Sequence, residues 1–361
     1  MEINWESKVL SSVLKVIPRL SFLEIDEEKI NEVAKQLAHE DFLTSYQGDT
    51  NNDPRDYMRK ILLINTLNFV FTDFSTSVKY QYKKLSDTDA MVYQIDKAIQ
   101  KGVPLLNGRY MRDINIDEFR KLFTGNIEMP MLKEKVEILN EVGNTLVSKY
   151  DGDWINFIEA GPKKLYANGE GLVERLITDF QRFDDFSMYE NEKIYFLKLA
   201  QLAFWGIHRE LSNTYFYIED MENMTAFADY IIPVALQTFG ITKYTPELEK
   251  KITDGVLLER DSKEEIEIRA ATIYATAKMT ESINELINRK EKIIIPQLDF
   301  PDECWAVSCP DFLEGRVDAV RIALCLYGSV KAHSTEKISH FTDRNGGDTL
   351  FLKASLQGRF F

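Results

Sequence analysis

The chain has 361 residues, a net charge of −14, 44% hydrophobic residues and 12% aromatic residues. That composition excludes a disordered chain, and the length allows one large domain or two packed lobes. The acidic balance and the lack of a basic stripe argue against duplex DNA or folded RNA as a partner, and suit a small ligand instead.

The N-terminal run Met1-Glu-Ile-Asn-Trp-Glu-Ser-Lys8 has neither a positive n-region nor an apolar h-region, so no secretory signal is expected. No charge-free stretch reaches about 18 apolar residues, so no membrane span is expected. Three cysteines, Cys304, Cys309 and Cys325, cannot form an even disulfide set, which suits a reducing cytosol and a cytoplasmic location. Cys304 and Cys309 have no second close pair, and His333 and His340 are not spaced to complete a zinc site. No metal and no cofactor are expected.

Along the chain the dominant period is helical. The polar run Ser45–Pro54 reads as a loop. Asp113–Phe123 reads as an Asx-type start followed by a short helix. Pro130–Leu146 is helical, with Ile138, Leu139 and Val142 on one face. Gly143 within it is unfavourable by about 1 kcal/mol relative to Ala and marks close approach of another helix. Residues 190–210 repeat the pattern through Ile194, Leu197, Gln201, Leu202 and Trp205. In Thr225–Pro233, Asp229 and Tyr230 precede Pro233, which suits a first helical position, and Gly240 ends that helix. A second helix starts near Thr245–Pro246, so residues 224–253 form a helix, a tight turn and a helix. Strand signals are confined to Lys292–Pro296 and Asp348–Leu352, a short pair, with a turn-rich break over 341–349. The expected fold class is all-α and multi-helical with a minor β component near the C-terminus, a single domain over 1–361 built of two packed lobes.

Several residues carry two readings. Asp229, among Phe227, Ile231 and Ile232, is either a helix cap or a carboxylate held for chemistry, since burial without a use is expensive. Lys198 and Gln201 share one face of an otherwise apolar helix. The lysine either snorkels or pairs structurally, or it contacts a phosphate or hydroxyl. Tyr230 is either a core tyrosine or a hydrogen-bonding group. Glu267 and Arg269, two residues apart, point to different sides of a helix and read as structural pairs.

Eight segments occur in the order and spacing of a known family: Thr66–Phe71, Ala98–Pro104, Asp113–Phe123, Pro130–Leu146, Phe183–Tyr189, Lys198–Gln201, Met224–Pro233 and Glu265–Ile273. Over residues 55–285 the chain resembles the queuosine salvage family, whose members are queuosine 5′-phosphate N-glycosylases that hydrolyse the base–ribose bond and release queuine. The resemblance implies an N-glycosidase acting on queuosine 5′-phosphate or a related 7-deazaguanine nucleotide or nucleoside. It implies a fold similar to the helix-hairpin-helix DNA glycosylases, with residues 224–253 as the hairpin element. Asp229 matches the family's alanine-aspartate-tyrosine core and becomes the carboxylate that stabilises an oxocarbenium-like sugar. Lys198, Gln201, Tyr230 and Phe227 join the substrate-binding set, with Asn68 and Phe69 facing the base and Phe69 stacking on it. Partners are a small modified nucleotide or nucleoside, with no nucleic-acid polymer and no membrane.

Departures from the family pattern fall at Thr72 (tryptophan in typical members), Leu199 and Ile231 (arginine), Gly206 (acidic) and Val234 (glutamine). The histidine-arginine-rich C-terminal segment is not recognisable in 330–361. They favour an alternative, a non-catalytic binding protein for a modified nucleoside or base. A DNA-lesion glycosylase is disfavoured by the −14 charge.

Overall fold

The computed structural model describes residues 2–39, 42, 53–73, 75–76, 78–228, 231–254, 256, 258–287 and 292–299. Chain order opens with helix α1 (Lys8–Val13), strand β1 (Leu23–Ile25) and α2 (Glu27–Leu37). Asp26 starts α2 by accepting the Lys29 amide at 3.1 Å, and Ile30, Val33, Ala34 and Leu37 form its buried stripe. α3 (Pro54–Leu67) is capped by Asp53 and carries Pro54 at its first position, where no amide donor is required. Short strands β2 (Thr72–Asp73), β3 (Val78–Lys79), β4 (Gln81–Tyr82) and β5 (Leu85–Ser86) follow, then α4 (Asp87–Gln100) and α5 (Gly108–Asp113). α6 (Ile116–Leu122) begins in a capping box between Asn115 and Glu118. Next come α7 (Leu132–Tyr150), α8 (Trp154–Glu159), α9 (Leu172–Asp179), strands β6 (Phe186–Tyr189) and β7 (Glu192–Tyr195), and α10 (Lys198–Leu211). The remainder is α11 (Ile231–Thr238), β8 (Thr242–Tyr244), α12 (Pro246–Thr253), α13 (Lys263–Leu286) and α14 (Ile295–Asp299). The architecture is multi-helical, with strands only as small antiparallel pairs.

The chain divides into two compact units. The first takes the described parts of residues 1–45, 186–198 and 221–357, and the second those of 46–185 and 199–220. In the first unit α13 is the central helix, packed by α1, α2, α11 and α14. It is apolar around most of its circumference, with Ile266, Ile268, Ala270, Ala271, Ile273 and Ile283 all buried, as a core helix must be. β1 pairs with β8, Leu23 opposite Tyr244, and β6 with β7 in a hairpin. Glu267 on α13 is 0% exposed. Its Oε2 accepts the amides of Ser21 and Phe22, both at 2.8 Å, and its Oε1 accepts the hydroxyls of Ser21 and Tyr189, both at 2.9 Å. Those four bonds tie the approach to β1 and the end of β6 to the central helix.

In the second unit α7 holds the centre, against α3, α5, α6 and α8. Gly143 is where α5 crosses: a Cβ there would lie 2.7 Å from the Gly108 carbonyl oxygen and 2.8 Å from the Arg112 Cα. The close helix approach expected at Gly143 is therefore present, and only glycine permits it.

Elsewhere the structure corrects the sequence reading. Residues 190–197 are not helical. Tyr189 faces Glu192 across a two-residue turn with Glu190 at φ +56°, and the helix starts only at Lys198, after Leu197 at φ +52°. Ile194 is buried as a strand residue, so its helical offset from Leu197 and Gln201 is coincidental. The strand expected at Lys292–Pro296 is absent, because Pro296 sits at the second position of α14, which accepts a proline. Its expected partner, Asp348–Leu352, lies outside the described residues. Pro233 falls third rather than first in α11, still among the positions whose amides lack intrahelical acceptors. Gly240 follows that helix at φ +69°. The turn between α11 and α12 contains β8, so the 224–253 element is a helix, a strand and a helix.

Removing the Glu267 carboxylate as Glu267→Ala leaves the amides of Ser21 and Phe22 and the Ser21 hydroxyl without their acceptor, while the Tyr189 hydroxyl keeps the Arg19 carbonyl at 3.0 Å, so stability should fall by about 3 kcal/mol. The urea midpoint measures this, and an unchanged midpoint would refute the assignment.

Candidate functional site

The C-terminal end of α3, in the second unit, carries two of the residues the sequence singled out. Asn68 is its C-cap residue (φ −77°, ψ 76°), and the Phe69 amide donates to the Leu67 carbonyl at 2.9 Å, closing an inverse γ-turn over Asn68. Asn68 Oδ1 accepts the Thr88 hydroxyl at 3.0 Å. Both Asn68 and Phe69 are half-buried, whereas Phe71 is buried, as a core residue should be.

Two cations missed by the sequence reading close around this turn. Lys135, from the first turn of α7, is 0% exposed and donates from Nζ to the carbonyls of Leu67, at 3.1 Å, and Phe69. Its ammonium lies 3.7 Å from the Phe69 ring centroid and 4.6 Å from that of Phe71. Arg182 is also buried, donates from Nε to the Thr66 carbonyl at 2.8 Å, and places its guanidinium 4.7 Å from the Phe69 ring. Burial, reinforced by the positive charge of Arg182, holds the Lys135 pKa well below the ordinary lysine value. The Phe69 ring is thus engaged by cations as well as half-exposed. One sequence signal pointed to Lys135: it interrupts the apolar stripe of Leu132, Val136 and Leu139 on α7.

α10 carries the next two candidates. Lys198 is half-buried at the first helical position, and Gln201, one turn on, is 0% exposed. A cation at a helix N-terminus opposes the macrodipole, so Lys198 is not there for helix stability. The same end, with amides and an ammonium together, suits an anion. Of the departures, Leu199 is buried beside Lys198, Thr72 is buried in β2, and Gly206 accepts the Tyr57 hydroxyl at 3.3 Å through its carbonyl. Trp205 is buried with an indole nitrogen that has no hydrogen-bond partner among the described residues.

In the first unit Phe227 is buried, as are Met224, Ala226 and Ala228 near it in the chain. Asp229 and Tyr230 lie outside the described residues, and the departures Ile231 and Val234 fall in α11. A cavity of about 430 Å³ opens in the second unit beside Asp56, Arg59, Arg109, Asp151 and Asp153. Ile99, Val103 and Pro104 of the Ala98–Pro104 segment line it, but none of the candidate substrate-binding residues does, and its arginines already pair with its carboxylates. Among the described residues no group of His, Cys, Asp and Glu is placed to hold a metal, and no helix is long and apolar enough to cross a membrane.

Comparison with known proteins gives a consistent result. A family model described as "Queuosine salvage protein" matches residues 48–345. The chain is 27% identical over 240 residues to a Mus musculus protein named queuosine 5′-phosphate N-glycosylase/hydrolase, covering 64% of this chain and 69% of that one. It is 26% identical over 280 residues to a Sphaerobacter thermophilus protein of the same name, covering 76% and 85%. A third, from Nematostella vectensis, is 28% identical over 228 residues, covering 61% and 64%.

α10 also makes a pH-dependent contact. His208 Nδ1 accepts the Ile218 amide at 3.2 Å, and burial pushes the imidazole pKa down from 6.5 to about 4. Because the folded pKa is depressed, the neutral ring's contribution is complete above pH 6.5 and is lost as pH falls through about 4. The residue should account for at most about 3 kcal/mol of acid destabilisation in that window. His208→Asn retains an acceptor that does not titrate. Urea midpoints at the two ends of the window should fall less in the variant, and equal losses would refute the assignment.

Proposed function

The chain belongs to the queuosine salvage family, and from that premise we propose that it is an N-glycosidase hydrolysing the base–ribose bond of queuosine 5′-phosphate. The observation that carries this reading is the family match across most of the chain, with relatives that bear that activity in their names. Hydrolysis breaks the bond between the anomeric carbon and the base nitrogen. Water supplies the oxygen to the sugar and a proton to the departing queuine. Positive charge gathers on the ribose as the bond lengthens, so a carboxylate beside the anomeric carbon lowers the barrier.

We assign that carboxylate to Asp229, with Tyr230 and Phe227 as neighbouring contacts. Lys198 is assigned to the 5′-phosphate, supported by its place at the N-terminus of α10, where helix dipole and ammonium both favour an anion. Gln201, Asn68 and Phe69 are assigned to the base and sugar. No residue assigned here requires a metal or cofactor. A second reading, binding without catalysis, is favoured by the burial of Leu199 and by the missing side chain at Gly206, positions that are charged in typical members.

Incubation of the purified protein with queuosine 5′-phosphate should release free queuine, detected by mass spectrometry. Asp229→Asn should reduce turnover by about 10²–10³ while nucleotide affinity stays within a few-fold, since the amide preserves shape but not charge. An Asn variant close to the parent in rate would remove Asp229 from the reaction. A parent that binds but never releases queuine would establish the second reading. Lys198→Met should raise KM for the 5′-phosphate by about tenfold or more, the loss of one charge-assisted hydrogen bond, and spare the dephosphorylated nucleoside. Equal effects on both substrates would rule out the phosphate role.

A further inference from the structure

Val70 is a β-branched residue at φ +41°, a backbone state that costs about 1–3 kcal/mol and persists only where its surroundings enforce it. It directly follows the γ-turn that carries Asn68 and Phe69. Two buried cations hold the carbonyls around that turn. Lys135 bonds the carbonyls of Leu67 and Phe69, the two that flank Asn68, and so draws both toward one point. Arg182 takes the preceding carbonyl, that of Thr66. We propose that Lys135 is a positioning residue for substrate binding, its buried ammonium holding the Asn68–Phe69 turn in the strained form that meets the nucleotide. This rests on the reading that Asn68 and Phe69 contact the substrate.

A purely structural role explains the lysine less well. A buried ammonium without a carboxylate is expensive, and an apolar side chain of the same length would fill the space at lower cost. What the methionine alternative cannot do is orient two carbonyls. Released, they would turn toward other donors, Val70 would relax to negative φ, and the turn over Asn68 would open. The two phenylalanine rings under the ammonium offset part of the burial cost without competing for its hydrogen bonds. The lowered proton affinity of Lys135 is consistent with a site built for geometry rather than for charge pairing.

The test uses the full chain with Lys135→Met, and with Lys135→Gln, whose amide can still donate to both carbonyls. Circular dichroism first establishes that each variant is folded. Lys135→Met should raise KM for queuosine 5′-phosphate by about tenfold or more with kcat within about threefold, the signature of lost binding rather than lost chemistry. Lys135→Gln should recover part of that loss. Combined with Phe69→Ala, Lys135→Met should add little, because both act through the same turn. Amide hydrogen exchange should quicken in residues 67–71 of Lys135→Met and stay unchanged in the rest of α7. An unchanged KM in folded Lys135→Met overturns the proposal, as do additive effects with Phe69→Ala. Failure of both single variants to fold also overturns it, since Lys135 is then a folding determinant. If the parent neither hydrolyses nor binds the nucleotide, the functional reading falls on its own, and unchanged exchange over residues 67–71 would still defeat the positioning claim.

Discussion

A charge removed from water must have its hydrogen bonds replaced, and at several charged side chains among the described residues the replacements include main-chain groups. The Glu267 carboxylate is met by the amides of Ser21 and Phe22. Asp220 accepts the amides of Leu165, at 2.6 Å, and Tyr166, at 3.1 Å. Arg175 donates to the carbonyls of Glu170 and Phe157, and Lys292 to those of Asn284 and Ile287. Lys135 and Arg182 follow the same rule at the end of α3. Burial costs several kcal/mol per ion and is offset only when the geometry is complete. Each such side chain therefore ties down irregular backbone or the last-turn carbonyls of a helix, which lack a partner in the regular helical ladder.

This arrangement bears on how an acidic protein could take the anionic nucleotide proposed for it. A net charge of −14 sets an unfavourable average field, but at physiological salt that field is screened beyond about 8 Å. A single ammonium at hydrogen-bond distance, in a partly desolvated site, outweighs many remote carboxylates. Lys198 at the N-terminus of α10, proposed above for the 5′-phosphate, would be such a local exception. The same reasoning separates a small phosphate from a polymer: one cation at one helix end can serve a monoester, whereas a nucleic acid needs a row of them.

Much of the fold was legible because its helix boundaries are written in local chemistry. Thr245 with Pro246 marks a helix start of this kind. Asn115 with Glu118 and Pro54 after Asp53 are equally local signals, but Asp113, the expected helix start, instead ends α5, and Pro54 opens α3 rather than lying in the expected loop. Gly143 was legible for the same reason, since its cost in a helix demands a packing benefit. The β6–β7 hairpin was not. Its turn, Glu190-Asn191, lacks glycine, and four-residue strands leave too few alternations to outvote a chance helical spacing. At the candidate site, Lys198 and Gln201 could be singled out from residue type and spacing and Asn68 from the family resemblance, while their surroundings could not. Lys135 was within reach as a lysine on an apolar stripe. Arg182 was not, because its partner Thr66 lies 116 residues earlier and no local pattern marks the pair.

The departures from the family pattern sort by what each kind of loss can do. Leu199 is buried, and Gly206 faces Ile61, with a Cβ there 3.4 Å from the Ile61 Cγ2. These positions are now packed by apolar groups, so no charged group stands there unsatisfied. A lost hydrogen-bonding side chain weakens discrimination between related ligands by several kcal/mol, because what it once rejected no longer leaves a polar group unpaired. It does not touch the term that breaks the bond, which depends on negative charge near the anomeric carbon. On the assignment proposed for Asp229, which is retained, the replaced polar positions would bear on which base is accepted before they bear on hydrolysis.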